Sequence, residues 1–159
     1  MKLIDIVEGI DRSAKEKADN WIDGWTYDSA SEKDNITDAE IAFSVYPYKR
    51  RITLYRGLNF QTKADYDSFK QKTQDFKILD EKFLTSWSLD EDQAAAFAMI
   101  DDEYDDQGYA GVVIGLKTDS KLKVINAQKS RYGENELIVF PEKLTIFLKD
   151  SKIFETEKK

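Results

Sequence analysis

An α+β fold is predicted for this chain by a change in its apolar spacing. Apolar positions fall three and four apart through residues 3–45, while short alternating or continuous apolar runs fill the C-terminal half. With 159 residues, 41% hydrophobic and 13% aromatic, the chain is long enough to bury a core. It shows no internal repeat or low-complexity linker, so one domain over 1–159 is expected, 1–50 mainly helical and 51–150 mainly sheet.

Residues 3–30 carry Ile6, Ile10, Ala14, Ala18, Ile22 and Trp25 at helical spacing, which predicts one or two short amphipathic helices whose job is packing. Asp34 to Ser44 predicts another, with Thr37 and Glu40 as a capping box and Pro47 ending it. RITLYRGL, residues 51–58, alternates as a strand and is expected to turn at Gly57. A short polar helix is expected over Asp65 to Thr73, and a short strand over FLTSWS, residues 83–88. LDEDQAAAFAMI, residues 89–100, predicts the strongest helix, with Ala94, Phe97 and Ala98 on one side. Ser88 stands at its N-cap and Glu91 three residues on. GVVIGLK (111–117), KLKVINA (121–127), ELIVF (136–140) and LTIFLK (144–149) predict four further strands, and the tail FETEKK is expected to fray.

The charge balance narrows the chemistry. With 31 acidic against 24 basic residues and a formal net charge of -7, no long-range positive field gathers nucleic acid, although the short run Lys49, Arg50, Arg51 could touch a phosphate or offset local acids. The chain has no cysteine and no histidine, which removes thiolate sites, the commonest metal ligand and the usual general base. Catalysis would have to run on carboxylates, hydroxyls, Arg, Lys and Tyr, with no metal expected. The first residues carry charge every few positions, and no later segment approaches the roughly 20 apolar residues of a membrane span. A cytoplasmic protein without membrane association is the expectation.

Three polar features sit in strand settings. Arg56, beside Gly57 at the expected end of a strand, would bring its guanidinium out at a sheet edge. A planar fork there suits a phosphate or a carboxylate, and taken alone an ordinary surface ion pair is the simpler reading. Ser86 and Ser88 share one face, with Trp87 on the other. Ser88 is explained as a cap, whereas Ser86 could orient a carboxylate or a ligand, or bond neighbouring backbone. In YGENELIVF, residues 132–140, Glu134 and Glu136 share the face continued by Ile138 and Phe140. Leu137 and Val139 make the other face apolar, so the glutamates stand where a central strand emerges. Such pairs are common at exposed strand ends, and alone the signal is weak.

In this order and in these settings the three features resemble the mono-ADP-ribosyltransferases of the arginine-serine-glutamate class. TLYRGL resembles the arginine strand, FLTSWSLDEDQAAAFA the serine strand and its helix, and YGENELIVFP the glutamate strand, so that the likeness runs from about Ile36 to Leu148. The resemblance implies a split, mostly antiparallel sheet core and NAD as substrate. It implies that Arg56 holds the diphosphate of NAD, that Ser86 orients the catalytic glutamate and the nicotinamide ribose, and that Gly57 and Ser88 also belong to the NAD-binding residues. Glu136 would bond the ribose 2'-hydroxyl. Glu134 would accept from the acceptor, and a glutamate at that position accompanies arginine acceptors in the family. Tyr132, in the turn QKSRYG (128–133), is the candidate acceptor contact, or simply packs on the turn.

The expected partners are therefore NAD and a protein with an accessible arginine. Trp87 stands where the family often has threonine; it could pack under the nicotinamide site or in the core, and the core is the expected place. With only about 50 residues ahead of the arginine strand, the chain is similar to the compact forms carried by bacteriophages. An NAD glycohydrolase would use the same Arg56, Ser86 and Glu136 with less need of Glu134. A non-catalytic acidic binding module is the rival of another class, motivated by the acids of Asp101 to Asp106, which a solvated hairpin tip also explains.

Overall fold

The computed structural model describes residues 3–27, 35–100, 108–128 and 135–154. Among them run four helices and seven strands: α1 Leu3–Tyr27, α2 Ile36–Val45, β1 Thr53–Phe60, α3 Lys63–Lys72, β2 Ile78–Asp80, β3 Thr85–Ser88, α4 Glu91–Ala98, β4 Ala110–Lys117, β5 Val124–Asn126, β6 Glu136–Val139 and β7 Lys143–Ile153. The α+β class expected from the apolar spacing is the class observed. The acidic run Asp101 to Asp106, residues 129–134 with Tyr132 and Glu134, and the tail 155–159 lie outside the described residues.

The strands form one sheet in the order β2-β7-β4-β1-β3-β6-β5, and every neighbouring pair is antiparallel. The sheet is not uniform. β1 and β4 pair from Thr53↔Lys117 to Phe60↔Ala110, whereas β1 and β3 meet only at Tyr55↔Ser88. That single pair joins a β2-β7-β4-β1 half to a β3-β6-β5 half. Alternation from this register assigns the two faces. On one, Leu54, Ile114, Trp87, Leu137, Val124 and Phe76 meet in a core shared by both halves, with Tyr66 and Phe69 packed at its rim. Trp87, 2% exposed, takes the core place expected of it, and its indole N–H donates to Thr85 Oγ1 at 2.9 Å.

The other face carries α1, α2 and α4, whereas α3 lies on the first through Tyr66 and Phe69. α1 and α2 cover β3-β6-β5 through Ala18, Trp21, Ile22, Trp25, Ala39 and Ala42 against Ile125, Ile138 and Phe140. Residues 3–27 form one helix rather than two short ones. Tyr46 Oη donates to Asp19 at 2.5 Å and ties the end of α2 to α1; burial and that carboxylate raise the tyrosine pKa above its ordinary value. α2 is capped by Asn35, whose side chain accepts from Asp38 N, not by Thr37, because asparagine caps at least as well and stands two residues earlier.

α4 covers the β1-β4 half through Ala94 and Ala98. Phe97 does not join them and is 68% exposed, since α4 lies so close to the glycines of β1 and β4 that only alanine fits beneath it. Its N-cap is Asp90 rather than Ser88. Ser88 is still held in the ladder, opposite Glu136 and Tyr55, so the chain cannot leave extended geometry until two residues later.

β2 has no counterpart among the strands expected from the sequence. It follows three consecutive left-handed residues, Gln74, Asp75 and Phe76, with φ of 53°, 61° and 63°. Non-glycine residues there cost roughly 1–2 kcal/mol each, and fully buried Thr73 holds the turn. Its hydroxyl donates to Phe69 O at 2.8 Å and accepts from Phe76 N at 3.1 Å. Thr73→Val keeps the shape but strands a buried N–H. It is expected to lower unfolding free energy by about 2 kcal/mol, read as an earlier urea midpoint at unchanged slope.

Candidate functional site

Antiparallel pairing of β3 with β6 sets Ser86 opposite Ile138 and Ser88 opposite Glu136. Ser86 and Glu136 are thus diagonal neighbours on the helix-covered face, within reach for a long side chain. Ser86 Oγ donates to Glu136 Oε2. The apolar run Leu137 to Phe140, buried on both faces, fixes the strand from which the carboxylate projects. The two residues that the sequence singled out on separate strands are brought into direct contact.

A third group completes the contact. Trp25, near the end of α1, donates its indole Nε1–H to Ser86 Oγ at 2.9 Å and to Glu136 Oε2 at 2.9 Å. Trp25 is 2% exposed, so its N–H donates from a buried position to two half-buried partners, where a hydrogen bond to a charge is stronger than in open water. Trp21 stacks on it one turn earlier, with ring centroids 5.6 Å apart and planes inclined at 33°. Helical spacing placed Trp25 on the packing face of α1; nothing in the local sequence tied its N–H to a distant carboxylate.

Ser88 lies beside this group with a different occupation. Its hydroxyl accepts from Asp90 N at 2.9 Å and donates to Gln93 Oε1 at 3.1 Å, so that it secures the step from β3 into α4. Gly57 does not end β1. The strand runs on to Phe60, and the glycine is the point where the α4 backbone crosses the sheet.

Arg56 therefore stands within a strand at the middle of the sheet rather than at an edge. Since Tyr55 faces Ser88, alternation sends Arg56 to the opposite face from Ser86 and Glu136. Its guanidinium meets Glu81, in the connection from β2 to β3, at 3.2 Å, with the two side chains 29% and 18% exposed. Burial draws the guanidinium pKa below its ordinary value, and the Glu81 carboxylate opposes that shift. Of the two parts the sequence offered Arg56, a ligand's anion or an ion pair, the structure displays the ion pair.

The arrangement around Glu136 is a carboxylate held by two neutral donors on one oxygen, Oε2. Such a group can stabilise positive charge developing close by or accept from a sugar hydroxyl. No group of three or more acidic side chains placed to hold a metal occurs among the described residues, and no helix among them is long and apolar enough to cross a membrane.

No family model matches the chain, and no curated protein or solved structure matches it.

Proposed function

We propose that the protein is an NAD-dependent mono-ADP-ribosyltransferase that places ADP-ribose on an arginine of a target protein. The observation that carries this reading is the hydrogen bond between Ser86 and Glu136 on adjacent strands. It supports a serine that orients a catalytic glutamate, the relation the resemblance implies. The sheet joined by the single pair Tyr55↔Ser88 supports the split core expected of that class.

In this reading the bond from the ribose anomeric carbon to nicotinamide breaks, and its electron pair leaves with nicotinamide, neutralising the pyridinium. Positive charge builds on the sugar, as in glycoside cleavage, and the fixed Glu136 carboxylate stabilises it. A guanidine nitrogen of the acceptor then bonds the anomeric carbon and releases a proton, which Glu134 takes. Arg56 enters by resemblance alone: it stands on the opposite sheet face from Glu136 and is paired with Glu81, which it would have to exchange for the NAD diphosphate.

Incubating the protein with NAD and a broad mixture of cellular proteins, and following free nicotinamide, tests the reading. Release is expected, and its absence would remove both the transferase and a glycohydrolase. Glu134→Gln separates these two, since transfer of labelled ADP-ribose to protein should fall by about 100-fold or more while NAD hydrolysis persists. Equal loss of both would show that Glu134 has no part specific to the acceptor.

A further inference from the structure

We infer that Trp25 is a positioning residue for Glu136, so that helix α1, expected from sequence only to pack, belongs to the catalytic apparatus. The inference rests on the proposed role of Glu136. Its starting point is how the three side chains divide their hydrogen bonds.

The Ser86 hydroxyl gives its proton to Glu136 Oε2 and accepts from the Trp25 indole, which also donates to the same Oε2. Serine alone would leave its own rotor to choose among partners; the indole takes up an acceptor site of Oγ and so directs the serine proton to the carboxylate. With two donors converging on Oε2, rotation of the carboxylate is opposed. Oε1, to which no group among the described residues donates, is the oxygen left to meet a ribose hydroxyl.

The indole is itself fixed. It is 2% exposed, stacked on Trp21, and carried on a helix that α2 holds through the Tyr46–Asp19 hydrogen bond. So little exposed surface leaves Trp25 almost nothing with which to touch a ligand. It acts through Glu136 and Ser86, which separates it from a binding residue and sets what a variant should do. Loss of the N–H should lower the rate of the bond-breaking step with little effect on NAD affinity.

The test is steady-state nicotinamide release by the full chain carrying Trp25→Phe, beside a second variant in which residue 25 is 3-benzothienylalanine. The latter has the shape of indole with sulfur in place of the N–H, so it fills the same core space but cannot donate. Both are expected to lower kcat about 10- to 100-fold, the worth of a hydrogen bond to a charged group, with KM for NAD within about threefold. If the phenylalanine variant fails to fold, the benzothienyl variant decides. A kcat within twofold of wild type in the benzothienyl variant overturns the inference, as does a loss confined to KM. Wild-type protein that releases no nicotinamide would instead overturn the role of Glu136 itself, and this inference with it.

Discussion

Glu136→Gln is expected to reduce nicotinamide release by about 10³-fold while leaving the fold and its stability nearly unchanged. The substitution keeps the length and plane of the side chain and removes only its charge. The Ser86 hydroxyl and the Trp25 indole converge on one oxygen, Oε2. A glutamine carbonyl in that place still accepts from both, so no buried donor is stranded, and the unfolding free energy should change by less than about 1 kcal/mol. Glu136→Ala would be a poorer probe. It leaves the Ser86 hydroxyl proton without its acceptor and the Trp25 N–H with Ser86 Oγ alone, and a cost of about 1 kcal/mol or more would mix stability with chemistry. Nicotinamide release measured beside thermal unfolding reads the two quantities separately. A Glu136→Gln protein that retains a tenth or more of wild-type activity would mean that the charge of Glu136 takes no part in the reaction.

What could be read from the sequence was what depends on local periodicity. The apolar runs of β4, β6 and β7 and the two-residue alternation about Trp87 specify strands and faces by themselves, and with them the shared face of Ser86 and Ser88. Features set by contacts distant in sequence were not legible. β2 is three residues long, too short to alternate, and exists because β7 offers it an edge. The left-handed turn at Gln74 to Phe76 lacks the glycine that would announce it, since a buried threonine hydroxyl stabilises the turn instead.

Ser88 had every local mark of a helix cap, and lost that place to Asp90 because two neighbouring strands hold it extended. Arg56 was expected at an edge because Gly57 looked like a turn, and the ion pair with Glu81 follows from the strand continuing. Trp25 is the case with most bearing on the site. Its spacing gave the right face of α1, but its hydrogen bond to Glu136 spans 111 residues and no local pattern encodes it.

Gly57→Ala is expected to be the most disruptive single methyl group in the sheet. A Cβ there would stand 1.8 Å from Ala94 O, 2.8 Å from Ala94 C and 2.9 Å from Ala98 N. All three are backbone atoms, so no side chain can swing away and α4 would have to lift as a whole. It is not free to do so. Gly111 on the adjoining strand makes the same close approach, with a Cβ there 2.1 Å from Ala98 O, and Asn59 Nδ2 donates to Ala98 O at 3.1 Å. The expected loss is at least about 3 kcal/mol, the upper range for overpacking a rigid interface. That is a large share of the roughly 5–15 kcal/mol that stabilises a typical domain.

Gly24→Ala supplies the contrast, since a Cβ at that helical position has nothing within 4 Å. It should raise stability by about 0.5–1 kcal/mol. Urea unfolding of the two variants tests the packing directly, and a Gly57→Ala protein within about 1 kcal/mol of wild type would mean that α4 rides higher on the sheet than its glycine contacts require. The effect should also reach the site. Only Leu89 and Asp90 separate the end of β3 from the start of α4, and Ser88 bonds Gln93 across that step. A helix displaced by the methyl group would draw on the strand that carries Ser86, so whatever fraction of the variant remains folded should release nicotinamide more slowly than wild type.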